Sequence, residues 1–119
     1  SATEVLGVAH VEQGEIDEAV AVFEALLATD PDSLSANTWL GQAYARSGDY
    51  EKAVPHLLRA AELAPDDPDI QYNTGAVLIQ TGNVEDGIAA MERSVELRPD
   101  FPVARKNLAF AYLRVEKYA

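Results

Sequence analysis

The stretch from Leu34 to Asp67 reads LSANTWLGQAYARSGDYEKAVPHLLRAAELAPDD, and its landmarks recur on both sides at a spacing of 34 residues. Gly41 stands 34 residues from Gly7 and from Gly75, and Gly48 stands 34 from Gly14 and Gly82, which places six of the seven glycines. Pro65 belongs to the series Pro31, Pro65 and Pro99, while Pro68 and Pro102 form a second. Apolar positions keep the same count in the columns Ile16, Tyr50, Val84 and Tyr118, then Val20, Val54 and Ile88, then Phe23, Leu57 and Met91, and finally Ala19, Ala53 and Gly87. So many columns in register define a tandem array, in which each unit buries its apolar face against the next.

Each unit reads as two helices. In the quoted unit Ser33 offers an N-cap, and Leu40, Ala43 and Tyr44 mark a helix that runs to Gly48. A second helix starts near Asp49 and Tyr50, carries Ala53, Val54, Leu57, Ala60 and Ala61 on one face, and stops before Pro65. Proline has no N–H for the ladder and disfavours a helical residue ahead of it. In the next unit Asp67 caps a helix whose first residue is Pro68; the fourth unit has Phe101 at the cap position, with Asp100 as the nearest acceptor. Glycine inside a helix costs about 1 kcal/mol against alanine, so the series Gly7, Gly41, Gly75 predicts close helix approach, with Ala19, Ala53 and Gly87 expected opposite. Gly14, Gly48 and Gly82 suit the left-handed residue that ends one helix and turns into the next.

On these residues the sequence resembles the tetratricopeptide repeat family. The quoted unit supplies Leu40, Gly41, Tyr44, Ala53, Leu57, Ala60 and Pro65; the first unit Leu6, Gly7, Ala19, Phe23 and Pro31; the third Gly75, Met91 and Pro99. Departures are Asn37 at the family's Trp position, with Trp39 two residues on, Thr74 for the Leu before Gly75, and His10 and Leu78 for the Tyr. The resemblance implies an all-α, right-handed superhelical solenoid of helix-turn-helix repeats. It would have three repeats, 1–33, 34–67 and 68–101, plus an additional C-terminal helix at 102–119, a partial or capping fourth unit, in one domain.

Composition agrees with a folded core. The chain has 119 residues, 48% hydrophobic and 24% charged, enough for one domain and too apolar for a disordered acidic tail. The absence of cysteine excludes a disulfide framework, a cysteine metal site and a cysteine nucleophile. No apolar run approaches the roughly 18 to 20 residues of a membrane helix, so direct membrane insertion is not expected and a soluble protein is; the compartment stays open, with the cytoplasm as the first expectation. The net charge of −11 opposes nucleic acid and anionic membranes and favours a basic partner. It is unevenly spread: −8 over 1–33, −2 over 34–67, −4 over 68–101 and +3 over 102–119. That polarity suggests a homo-oligomer formed head to tail through the stack ends. The chain begins at Ser1 and breaks off midway through a fourth unit, leaving Leu108, Tyr112 and Leu113 expected to be partly uncovered, as in a window cut from a longer array.

Catalytic constellations are scarce. His10 falls in the aromatic column and His56 on an outer face of a second helix, so they read as packing and as a solvated residue. Asp66, Asp67 and Asp69 lack the spacing of a calcium loop and read as a capped turn, and the glycines form no phosphate loop. No cofactor, metal or catalytic residue is expected.

The resemblance implies a protein-interaction module or scaffold whose first helices line a concave groove for a peptide or protein segment with apolar anchors. The groove columns are Glu4, Thr38, Tyr72 and Lys106; Val8, Gln42, Ala76 and Phe110; Val11, Ala45, Ile79 and Leu113; and Glu12, Arg46, Gln80 and Arg114, with Val5, Trp39, Asn73 and Asn107 at the edge. Candidate contacts are Trp39, Gln42, Arg46, Tyr72, Asn73, Ile79, Lys106, Phe110, Leu113 and Arg114. For Arg46, Gln80 and Arg114 simple solvation is the competing reading. Trp39 has two roles open, a groove-edge anchor or filler of an inter-helix space. The carboxylate clamp of some members is absent, since its positions hold Glu4, Val8, Trp39, Asp69 and Asn73. Alternatives are the substrate-recruiting region of a larger enzyme and a self-associating structural scaffold.

Overall fold

The computed structural model describes residues 2–118, with side chains through Glu116. The described residues form seven helices and no strand: α1 (Ala2–Glu12), α2 (Ile16–Thr29), α3 (Leu34–Arg46), α4 (Tyr50–Leu63), α5 (Pro68–Gln80), α6 (Val84–Leu97) and α7 (Pro102–Tyr118). The side chain of Tyr118, assigned above to the column of Ile16, lies outside the described residues.

The starts and stops follow the expected chemistry. Ser33 Oγ accepts the Ala36 N–H at 3.1 Å, and the Asp67 carboxylate accepts the N–H groups of Asp69 and Ile70 at 2.9 and 3.2 Å. Phe101, at the same position before α7, packs its ring on Tyr72, 5.3 Å between centroids, and under the Arg98 guanidinium at 4.9 Å. At the turns Gly14, Gly48 and Gly82 have φ of 78°, 86° and 92°. There the N–H groups of Glu15, Asp49 and Asn83 reach back to the carbonyls of His10, Tyr44 and Leu78 at 2.8 to 2.9 Å, closing three equivalent turns.

The helical glycines meet large side chains rather than the small column expected. A Cβ on Gly41 would lie 2.5 Å from Leu57 Cγ, and one on Gly7 would lie 2.6 Å from the Phe23 ring. Glycine here makes the slot into which the fully buried Phe23, Leu57 and Met91 column inserts. Only in the third hairpin do backbones themselves meet, because Gly75 faces Gly87, whose carbonyl oxygen would be 2.7 Å from an added Cβ.

Each helix packs on its sequence neighbours. The odd-numbered helices also touch one another in succession, α1 with α3, α3 with α5 and α5 with α7, whereas no two even-numbered helices do among the described residues. The stack therefore curves with α1, α3, α5 and α7 inside, over a body 45 by 25 by 23 Å.

The joints between hairpins carry a repeating set of polar contacts. Arg59 of α4 pairs with Asp32 and with Glu62, and its equivalent Arg93 of α6 pairs with Asp66 at 2.7 Å and Glu96 at 3.5 Å. Tyr44 donates to Glu24 at 2.5 Å and Tyr112 to Glu92 at 2.7 Å. The carboxylate bond, with burial adding to it, pushes the Tyr44 phenol up to about 12 and raises that of Tyr112 by the same causes. Between these two joints the pair is replaced by Leu58 and Leu78 at the equivalent positions.

The family's Trp position has its own logic here. Asn37 Nδ2 donates to the Pro31 carbonyl at 3.2 Å, Gln71 Nε2 to that of Pro65 at 3.0 Å, and Arg105 Nε to that of Pro99. Three different side chains thus do one job, each holding the carbonyl of the proline six residues upstream. Asn37 is buried, and its second bond, to Ser33 O at 2.9 Å, completes its donors.

His56 is not the solvated residue the sequence suggests. It is half-buried, stacked on the Tyr44 ring with centroids 5.8 Å apart, and its Nδ1 lies 3.5 Å from Asn37 Oδ1. Its position in α4 turns toward α3. Burial lowers its pKa, against an opposing pull from the Glu24 charge. His10 is half-buried beside Glu15, 3.1 Å away. Leu108, expected to be partly uncovered, is 8% exposed, because it occupies the Leu40 column and packs toward α6.

Candidate interaction groove

The inner face of α3, α5 and α7 holds two adjoining concavities. The first, about 390 Å³, is lined by Gln42 and Arg46 of α3, Tyr72, Asn73, Ala76 and Gln80 of α5, and Asn107 of α7, with Ala45, Tyr50, Leu57 and Val77 at its floor and side. The second, about 220 Å³, is lined by Ala76, Ile79, Gln80, Asn107, Phe110, Ala111 and Arg114 over Met91. Shared Ala76, Gln80 and Asn107 make them one groove. Helical spacing explains the set, since residues three and four apart on α5 and α7 fall on one face.

Of the residues singled out in the sequence, the groove brings together Gln42, Arg46, Tyr72, Asn73, Ile79, Phe110 and Arg114. Phe110 is 59% exposed, a large apolar surface facing the second concavity. Trp39 stands apart from both: it is half-buried against the core cluster of Val11, Ala19, Phe23, Ala36, Leu40 and Ala43. Lys106 and Leu113 are exposed on α7 and line neither concavity. Asn107, Ala76, Gln80 and Tyr50 also line the groove without having been singled out. The first three stand in columns already assigned to the groove or its edge, while Tyr50 belongs to a column that reads as core.

Two residues are fixed in place. Asn107 Nδ2 donates to the Tyr72 hydroxyl at 2.8 Å, tying α7 to α5 across the groove. Arg46 Nη1 donates to the Val11 carbonyl at 3.1 Å at the end of α1, so Arg46 is more than a solvated rim residue. The amides of Gln42, Asn73 and Gln80 have no partner among the described residues. Among the described residues neither concavity is lined by an Asp or Glu. The described residues contain no group of three or more His, Cys, Asp or Glu placed to hold a metal ion, and no helix long and apolar enough to cross a membrane. The arrangement offers hydrogen-bond donors and acceptors, two guanidinium groups and an aromatic ring to something laid along it.

A sequence model of the family described as tetratricopeptide repeat matches residues 5–68 and 46–102. The chain belongs to the tetratricopeptide repeat family. Among solved structures, MamA 41-end from Desulfovibrio magneticus RS-1 superposes with a TM-score of 0.91 at 27% identity, covering 96% of this chain and 64% of that one. MamA from MSR-1 gives 0.86 at 27% identity, covering 96% and 66%. The type III secretion translocator chaperone SycD of Yersinia enterocolitica gives 0.88 at 20% identity, covering 97% and 84%, a likeness of fold. This chain thus spans slightly less than two thirds of the length of those two MamA chains. No curated protein matches the sequence. As a tetratricopeptide repeat solenoid the chain is a protein-interaction module.

Proposed function

We propose that the chain acts without catalysis, by holding a segment of a partner protein along the inner face of α3, α5 and α7. The observation that carries this reading is the run of unpartnered amides, Gln42, Asn73 and Gln80, beside the exposed Phe110 ring. Side-chain amides can pair with the N–H and C=O groups of a main chain, and Phe110 with the Ile79 concavity gives one apolar anchor a place to bury. Burying one large apolar side chain is worth about 1.5–3 kcal/mol, enough to set register but dependent on the polar contacts for orientation. Ala76 borders both concavities, so Ala76→Phe fills the groove from a helix face without touching the joints. Binding that survives Ala76→Phe, with the helical signal intact, would place the partner elsewhere.

A second reading, self-association, is favoured by charge: residues 1–33 hold eight acidic residues and no Lys or Arg, whereas 102–119 carries +3. Sedimentation at low and high salt tests it. A monomer at both, at high concentration, contradicts it.

A further inference from the structure

We propose that the segment held in this groove is acidic, an extended stretch with Asp or Glu side chains flanking one apolar residue, although the chain itself carries −11. This rests on the groove reading above and adds the partner's chemistry to it. Among the described residues the charged side chains lining the two concavities are Arg46 and Arg114, one toward each end.

Pairing and the make-up of the lining decide between the local and the global charge. In 0.15 M salt the screening length is about 8 Å. The largest block of negative charge, −8, lies in residues 1–33, at the α1 and α2 end of a molecule 45 Å long. Acids at the joints are held by partners: Asp32 by Arg59, Asp66 by Arg93, and Asp69 by Arg98 at 3.0 Å. A ligand on α5 and α7 therefore meets the two arginines at contact range; the acids nearest to them, Glu12 beside the Val11 carbonyl and Glu85 and Asp86 in the neighbouring concavity that Arg114 also lines, stand outside the groove.

The arginines are suited to carboxylates. Arg46 spends one N–H on the Val11 carbonyl and is thereby oriented, with the rest of its fork free; Arg114 has no ion pair among the described residues. A guanidinium presents five donors in a plane and takes a carboxylate with two at once. A basic segment would bring its cations against these two groups with no acid in either concavity to receive them. In the first repeat the column of Arg46 and Arg114 holds Glu12, which confines the acid-binding stretch to α3 through α7.

The test is a selection from a displayed library of random twelve-residue peptides on the full chain, followed by affinity measurement on the strongest binders. The expected peptides are net acidic with an apolar residue near the middle, and their affinity falls with added NaCl. The double variant Arg46→Gln, Arg114→Gln should weaken them about tenfold or more, while Arg93→Gln at a joint leaves them unchanged. Circular dichroism confirms that each variant keeps its helices. Basic or neutral peptides, or full affinity in the double variant, would overturn the acidic assignment. If such peptides still lose binding on Ala76→Phe, the groove reading stands and only their charge class is wrong. An empty selection, or peptides indifferent to Ala76→Phe, removes both.

Discussion

At the joints between hairpins nearly every polar side chain has found another: Arg59 with Asp32, Arg93 with Asp66, Arg98 with Asp69, Tyr44 with Glu24, Tyr112 with Glu92. Along the groove Gln42, Asn73 and Gln80 have no partner among the described residues. The joint residues lie on α2 to α7 and the loops between them, whereas the three amides lie on the inner helices α3 and α5. A joint is met once per repeat by a fixed neighbour, so a pair can be built into the chain, whereas on the inner face only Asn107 with Tyr72 and Arg46 with Val11 are tied among the described groove residues and the three amides stay available. The joints explain stability and the groove explains recognition, and substitutions should separate the two.

The largest separation is expected between Leu57 and Phe110. Leu57 is fully buried in the slot left by Gly41, so Leu57→Ala should cost about 2–5 kcal/mol in urea unfolding. Phe110→Ala removes an exposed ring and should change stability by no more than about 0.5 kcal/mol while abolishing or sharply weakening peptide binding. Equal stability losses in the two would erase the distinction. Trp39→Ala belongs with Leu57 on this account, since the indole packs on the first core cluster. It should lower the unfolding midpoint before it touches binding.

A smaller effect is expected at a cap. Asp67→Ala removes the acceptor for two N–H groups at the start of α5 and should cost about 1 kcal/mol, read from the same denaturation curves. Because α5 carries Tyr72, Asn73 and Ala76, affinity should follow only through fraying of that helix. A change in affinity without a change in stability would show that Asp67 acts directly on the ligand.

The smallest effect is a pH slope. His56 titrates below its ordinary value because burial disfavours the imidazolium. The unfolded chain therefore binds the proton first, and stability should decline as pH falls through about 6.5 toward the folded value. Above that range His56 is neutral in both states and contributes no slope. Unfolding midpoints between pH 7.5 and 5.5 should fall less in His56→Asn than in the parent; an identical decline would exclude His56 as its source.

Much of this was written in the spacing. The series Gly14, Gly48, Gly82 and the two proline series located every turn, because the first supplies a left-handed conformation and the others a fixed φ and a missing N–H at helix ends. What faces Gly41 was not legible, since periodicity says which residues are equivalent and not which column they oppose. The role shared by Asn37, Gln71 and Arg105 was hidden for a different reason: the three have little in common as residue types, and only the reach of each donor to a proline carbonyl unites them. In the groove, the columns of Gln42 and Arg46 led to six of the lining residues, Gln42, Ala76, Phe110, Arg46, Gln80 and Arg114. Trp39 drew attention as a large aromatic at the edge, yet a residue one position from a buried Leu40 is turned by 100° at most and can lean onto the core.

The central claim, recognition along the inner face, is tested most directly by amide chemical-shift mapping with a selected peptide. The account predicts that shifts concentrate on α3, α5 and α7, at Gln42, Asn73, Gln80, Asn107 and Phe110, and spare α2, α4 and α6. Shifts confined to the joints or to the outer helices would contradict it.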